Sequence, residues 1–383
     1  MRRPRMMAPA SLEVAYYHCV SRVVNREFVL GAAEKDHFVK LMRVYERLYG
    51  VRVVAYCIMS NHFHILVEVP QRPSDEALPD DERLVSLVRE CLGDQQAMNL
   101  AWQLQHFREM GANAAAEELR ESWFSRMWDV SKFMKVLKQR FTQWFNGRHK
   151  RRGTLWEDRF RSVLVQGECR ALQTMAAYID LNPVRAKICE DPKDYRWCGY
   201  AEAVAGEKLA AAAVKWLTEL GIPKQTTEKQ GKVLTGSKRG LDAHAKGQKT
   251  LETLRVWRCE LFGVPATEGA QAEESAKGAA GVELGKRRIS REKALEVLAL
   301  GGRLPQAEYL RCRVRYFTDG AAIGTRDFVE QVFLECREWF SAKRKTGARL
   351  LRGLELAKKP DRLYSLRQLQ KNVFVAPEGH SPS

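Results

Sequence analysis

The sequence has no uninterrupted apolar run of about 18 residues or more, the length a bilayer-crossing helix needs, so no membrane span is expected. Its basic start, Met1-Arg2-Arg3-Pro4-Arg5, is followed by no apolar segment of signal-peptide length before Glu13, and a cytoplasmic protein is the expectation. Cysteine is present but unorganised. Cys19, Cys57, Cys91, Cys169, Cys189, Cys198, Cys259, Cys312 and Cys336 are odd in number and never spaced as Cys-x-x-Cys. That argues against a disulfide framework or a cysteine-built zinc site and fits reduced, mostly buried thiols. There is no His-Glu-x-x-His, and no fixed-period repeat. Acidic residues are the conspicuous deficit: 47 Asp plus Glu stand against 64 Lys plus Arg, a formal charge of +17. Such a field favours a polyanionic partner, nucleic acid first and an anionic membrane surface second.

What is present suits a globular protein. With 45% hydrophobic and 29% charged residues, neither disorder nor a fibrous architecture is supported. A chain of 383 residues is long enough for two or three domains at roughly 100 to 200 residues each. Tyr16 to Val24 is rich in β-branched and aromatic residues and reads as a strand. Phe38, Leu41, Met42, Tyr45 and Leu48 recur at helical spacing between Glu34 and Tyr49, with Gly50 as the stop. Val51 to Met59 and His62 to Val69 read as two strands joined at Ser60-Asn61. Residues 71 to about 128 break this rhythm as a helical insertion. Ser131 is then the expected N-cap of a long helix carrying Phe133, Met134, Leu137, Phe141, Trp144 and Phe145 on one face. Phe160 to Gln166 reads as a fourth strand and Cys169 to Leu181 as an amphipathic helix. Without the insertion the order is β-α-β-β-α-β-α, the split βαβ pattern of a ferredoxin-like sheet with one helix appended.

Beyond about residue 205 the character changes. Ala210 to Leu220 reads as a helix, Thr226 to Gly247 as a linker and Ala266 to Gly285 as a second stretch of low hydrophobicity. Helical patterns return at Ser290 to Leu300 and Asp327 to Phe340, among Arg311, Arg313, Arg315, Lys343, Arg344, Lys345 and Arg349. The expected division is 1–205, a helical and linker region at 206–285, and a basic, helical, DNA-reading module at 286–383. A solvated basic edge is the alternative for that last stretch.

Three constellations could carry chemistry. His62 and His64 lie two apart in a strand and so share a face with Leu66 and Glu68. Two neutral imidazoles there can chelate a divalent cation and leave positions open, although such pairs are often structural. A zinc hydrolase would need a further ligand, and no third histidine alternates with these two. Tyr178 and Asn182 fall on one helix face a turn apart, so a phenol and an amide carbonyl can serve one site. Equally, Tyr178 suits a core, and Asn182-Pro183 suits an N-cap with proline at the first helical position. Lastly, Lys132, Lys135, Lys138, Arg140, Arg148, Lys150, Arg151, Arg152, Arg159 and Arg161 are opposed within their segment only by Glu157 and Asp158. Trp156 and Phe160 interleave with them. Cations neutralise phosphates and exposed aromatics stack on unpaired bases, which suits single-stranded or hairpin nucleic acid. A solvated helix face over a buried Trp is the bland alternative.

His62-Phe63-His64-Ile65-Leu66-Val67 resembles the HUH motif. Gly153-Thr154-Leu155-Trp156-Glu157-Asp158-Arg159-Phe160 resembles a G-x-L-W-x-x-R-F element, and Tyr178 to Ala186 a Y-I-x-x-N-P-V-R-A signature. Together, over roughly residues 14 to 200, they resemble the REP-associated tyrosine transposases, a branch of the single-tyrosine HUH transposases. The resemblance implies an α+β fold, a ferredoxin-like catalytic domain whose antiparallel sheet carries helices on one face; the patterning beyond it adds the expectation of a mainly helical C-terminal region. It implies Tyr178 as nucleophile and His62, His64 and Asn182 as ligands of Mg2+ or Mn2+, with imidazoles favouring tolerance of Mn2+. The implied reaction is cleavage and rejoining of single-stranded or hairpin DNA through a 5′-phosphotyrosine link, which conserves bond energy and needs no nucleotide cofactor. Lys135, Lys138, Arg148, Lys150, Arg151, Arg152, Trp156, Arg159, Arg161 and Arg185 are the expected DNA contacts. A non-catalytic DNA-binding regulator with the same fold is the alternative, a water-using metal phosphodiesterase a third. Monomer and homodimer stay equally open, and the insertion and everything after 205 lie outside the resemblance.

Overall fold

The computed structural model describes residues 6–9, 11–167, 170–220, 253–258, 261, 317–318, 320–351 and 362–367. The expected linkers, the Ser290 to Leu300 helix and Arg311, Arg313 and Arg315 lie outside these residues. The first four strands are β1 (Val14–Arg22), β2 (Arg52–Ile58), β3 (His62–Pro70) and β4 (Arg161–Val165). They stand in the order β2-β3-β1-β4, every pair antiparallel. That is the ferredoxin-like order, and the fold is α+β. Helix α1 (Ala32–Leu48) connects β1 to β2. Gly50 ends it with φ +61, where an added Cβ would meet Trp128 Nε1 at 2.7 Å, so the turn admits little but glycine. The insertion between β3 and the next core helix is helical, as expected: α2 (Asp81–Leu92), α3 (Asp94–Glu109) and α4 (Asn113–Phe124).

Helix α5 (Val130–Arg148) returns the chain to β4. Its cap is Asp129, not Ser131: the Asp129 carboxylate accepts from the backbone N–H of Ser131 (2.6 Å) and Lys132 (3.0 Å). A carboxylate at the positive end of the helix has the advantage over a hydroxyl two residues inside it. After β4 come α6 (Arg170–Asp180), the short α7 (Asn182–Arg185), α8 (Gly199–Val204) and α9 (Lys208–Glu219).

Strand alternation divides the interior into two layers. Tyr17, Cys19, Phe63, Ile65 and Val67 face α1 and α5, meeting Phe38, Met42 and Phe141. Tyr16, Leu66, Val163 and Val165 face the other way, onto Leu172, Met175, Ala176 and Ile179 of α6 and Val214 and Leu217 of α9. The two crossover helices share one face, as expected, and the appended helices cover the opposite one. His18 and His64 belong to this second layer, buried among apolar neighbours. The described C-terminal residues include helical residues 253–258, the helix α10 (Arg326–Glu335) and three short strands: β5 (Gly320–Gly324), β6 (Arg349–Leu350) and β7 (Tyr364–Arg367). These strands continue the sheet as β4-β5-β7-β6. The β4–β5 pair is parallel, through Leu164↔Ala322 and Val165↔Ile323, so the sheet is mixed rather than antiparallel throughout. Among the described residues no helix is long and apolar enough to cross a membrane.

Candidate active site

The Ser60-Asn61 turn delivers His62 to the first position of β3, at the rim of the sheet, and His64 one pleat further in. The register sets their neighbours. Arg22 stands opposite His62, and Val20 opposite His64. His18, opposite Leu66, falls on the same face as His64 and diagonal to it. Its Nε2 lies 2.9 Å from His64 Nδ1, while its Nδ1 lies 2.8 Å from the carbonyl oxygen of Phe317. His62 Nδ1 lies 2.6 Å from Asn61 Oδ1, and Asn61 Nδ2 donates to the carbonyl of Arg26 at 3.0 Å. Neither Nε2 of the His62 and His64 pair makes a hydrogen bond among the described residues.

All three imidazoles are held neutral. Burial lowers His18 to about 4, against the Phe317 carbonyl, which favours its charged form. Burial, with the charge of Arg22 behind it, lowers His62 to about 4. His64 falls well below the usual range through burial, its two histidine neighbours, Arg185 and Arg22. Neutral imidazole is the form that binds a metal.

Helix α6 brings Tyr178 onto this pair. Its ring meets His64 edge-on (centroids 5.7 Å, 84°) and His18 likewise (5.9 Å, 77°). Phe317 stacks on it at 4.8 Å and 19°, and the side chain of Tyr178 is only 1% exposed. The guanidinium carbon of Arg185, from α7, lies 4.8 Å from the Tyr178 centroid. Arg185 Nη1 is buried with no hydrogen-bond partner among the described residues, an arrangement that favours an anion there. Asn182 is not the cap of α7; Leu181 is, and the Asn182 amide instead donates to the carbonyl of Tyr178 at 3.2 Å. This leaves Asn182 Oδ1 with no donor among the described residues. Two bare imidazole nitrogens are donors that suit an open divalent site, and Asn182 stands one turn beyond Tyr178, at the start of α7. No group of three or more His, Cys, Asp or Glu able to hold a metal exists among the described residues, and the third histidine, His18, has both nitrogens engaged.

The expected DNA contacts divide. Arg161 is exposed and pairs with Val20, so it continues the row of His64 across the sheet. Lys135, Lys150, Arg152 and Arg159 are exposed. Arg148, also exposed, is drawn to Glu34 at 3.3 Å. Lys138 donates to the Asp158 carbonyl at 2.7 Å, and Arg151 to the Thr154 carbonyl at 3.5 Å. Trp156 is a correction. At 6% exposure it packs edge-on to Phe63 and Phe38, with Nε1 donating to the Lys138 carbonyl, so it is core and not a platform for bases. Phe160 is buried too. Sequence reasoning missed His18, Arg22 and Phe317. The first two were accessible in principle, since antiparallel pairing of the first and third strands would set them beside the histidine pair. Phe317 is far along the chain and carries no local signal.

Residues 11–75 match the family described as Transposase IS200 like. This stretch contains His18, Arg22, His62 and His64, and Tyr178 lies outside it. No curated protein sequence matches the chain. A solved structure described as a REP-associated tyrosine transposase bound to a REP hairpin is similar at 13% identity, covering 61% of this chain and 100% of that one, with a TM-score of 0.34. The segment from β1 through β3, histidine pair included, is thus similar to the IS200-like transposase family.

Proposed function

We propose that the protein cleaves and rejoins single-stranded, hairpin or repeat-associated DNA through Tyr178, with Mg2+ or Mn2+ bound at the histidine pair. The observation that carries this reading is the convergence of neutral, half-buried His62 with buried His64, the Tyr178 ring and an Arg185 nitrogen that has no partner among the described residues. A divalent cation held by His62, His64 and Asn182 would neutralise the scissile phosphate and make the phenol of Tyr178, ordinarily near ~10 in pKa, a better nucleophile. Tyr178 Oη then forms a bond to phosphorus as the bond to the 3′ oxygen breaks. The phenolic proton is released and the leaving 3′ oxygen takes one up. Arg185 holds the phosphate by charge-assisted hydrogen bonds, and its ring contact orients the phenol. Rejoining is the same step reversed with a 3′-OH as attacker. Tyr178 is only 1% exposed, so a DNA strand reaches it only when neighbouring residues yield.

The burial of Tyr178 is the one observation on the side of the non-catalytic regulator, and one experiment separates the two. Labelled single-stranded hairpin DNA is incubated with the protein and Mn2+ or Mg2+, and covalent adducts are read on a denaturing gel. An adduct that disappears in Tyr178→Phe supports the proposal. Binding with no adduct sinks it, and metal-dependent cleavage surviving the substitution moves the reaction to a water nucleophile.

A further inference from the structure

We propose that His18 is a positioning residue: by accepting the Nδ1–H of His64 it locks His64 in the tautomer whose Nε2 lone pair is free for a divalent cation. The inference deepens the reading of His62 and His64 as a cation site and rests on it. It follows from counting protons. The carbonyl oxygen of Phe317 has only lone pairs, so His18 Nδ1, 2.8 Å away, must carry hydrogen. The 2.9 Å contact between His18 Nε2 and His64 Nδ1 has room for one hydrogen. If His18 supplied it, both its nitrogens would carry hydrogen and a cation would lie fully buried between Leu66 and Val163 with no carboxylate bonded to it among the described residues. His64 therefore supplies it, and its Nε2 is bare.

The geometry suits such a bond. The two rings are within 12° of parallel with centroids 5.1 Å apart, a separation that brings their nitrogens to 2.9 Å only when the rings are nearly coplanar and meet edge to edge. The hydrogen then lies in the plane of both rings, along the acceptor lone pair. His62 is held by the same device. The backbone carbonyl of Arg26 accepts from Asn61 Nδ2, which fixes the amide orientation, and Asn61 Oδ1 then accepts Nδ1–H of His62 at 2.6 Å. Both relays start at a backbone carbonyl and end on a bare Nε2. Partners of this kind fix ring orientation and tautomer at metal-binding histidines. Two such relays on adjacent ligands of one strand are hard to account for as packing.

The test is made first on metal-free protein labelled with 15N-histidine, where long-range proton–nitrogen correlations report which ring nitrogen carries hydrogen. His64 is expected as the Nδ1–H tautomer in the wild type. In His18→Phe it should revert to Nε2–H, the form neutral imidazole prefers in water, and Mn2+ affinity by electron paramagnetic resonance titration should weaken roughly 10- to 100-fold. His18→Gln, whose amide offers an acceptor and a donor at imidazole-like separation, should recover much of that affinity. Wild-type His64 found as Nε2–H overturns the inference, whether or not His18→Phe folds. So does equal Mn2+ affinity in wild type and a folded His18→Phe, which leaves the cation reading standing. A His18-dependent Nδ1–H tautomer in a protein that binds no Mn2+ upholds the relay and overturns the cation reading instead.

Discussion

Acidification from pH 7 to pH 5 should destabilise the metal-free protein, through buried groups that pull in opposite directions. His18 and His62 are depressed from 6.5 to about 4, so folding favours their neutral forms. The stability they contribute is present above their unfolded pKa and is lost as pH falls through it towards 4. At pH 5 each has withdrawn about 2 kcal/mol. His64 moves in the same direction. Asp180 works the other way. Burial raises it from 3.8 to about 7, against hydrogen bonds from Trp257 Nε1 at 3.1 Å and the Tyr200 N–H at 3.3 Å. Its folded state prefers the proton, so its cost is greatest above pH 7, and acidification to pH 5 returns about 2 kcal/mol. The net loss is about 2 kcal/mol or somewhat more with His64, a sizeable share of the ~5–15 kcal/mol typical of a folded domain. Asp180→Asn removes the opposing group. That variant should start less stable, because its amide cannot accept from both Trp257 and Tyr200, yet its pH dependence should steepen to about 4 kcal/mol over the same interval. Urea midpoints at the two pH values, in EDTA at constant ionic strength, measure both slopes. A shallower slope in Asp180→Asn than in wild type would refute the assignment of opposing groups.

Arg185→Ala should slow adduct formation roughly 10- to 100-fold, the worth of a charge-assisted hydrogen bond of ~1.5–3 kcal/mol, while hairpin affinity changes little. Single-turnover gels and filter binding separate the two, and equal losses would make Arg185 an ordinary phosphate contact. Trp156→Ala should lower stability by about 3–5 kcal/mol in chemical denaturation; weakened DNA binding by a fully folded variant would restore the stacking role. Replacing Lys150 and Arg152 together with alanine should reduce the slope of log affinity against log salt for single-stranded DNA by about 1.4. An unchanged slope would remove them from the binding surface.

The sheet was legible because its signals are local. β-Branched and aromatic content in Tyr16 to Val24, alternation in His62 to Val69, helical spacing from Phe38 to Leu48, and turns at Gly50 and Ser60-Asn61 each depend on neighbours in sequence. The errors arose where a choice between neighbours was needed. Asp129 and Ser131 are both good caps, and the competition was decided by which side chain reached the free N–H groups. Trp156 amid arginines looked like a surface aromatic, because a basic segment does not reveal that this indole turns inward onto Phe38, Phe63 and Phe141.

The sequence by itself determined the order of the core elements, the common face of His62 and His64, and the single turn between Tyr178 and Asn182. Strand and helix periodicities follow from backbone geometry alone. Tertiary structure decided what those residues meet. Register set His18 beside His64 and Arg22 beside His62, and α6 closed over the layer that holds them. The far end of the chain brought Phe317, its ring to Tyr178 and its carbonyl to His18. These contacts join residues up to 299 positions apart, and no local propensity encodes a pairing that only a closed sheet creates.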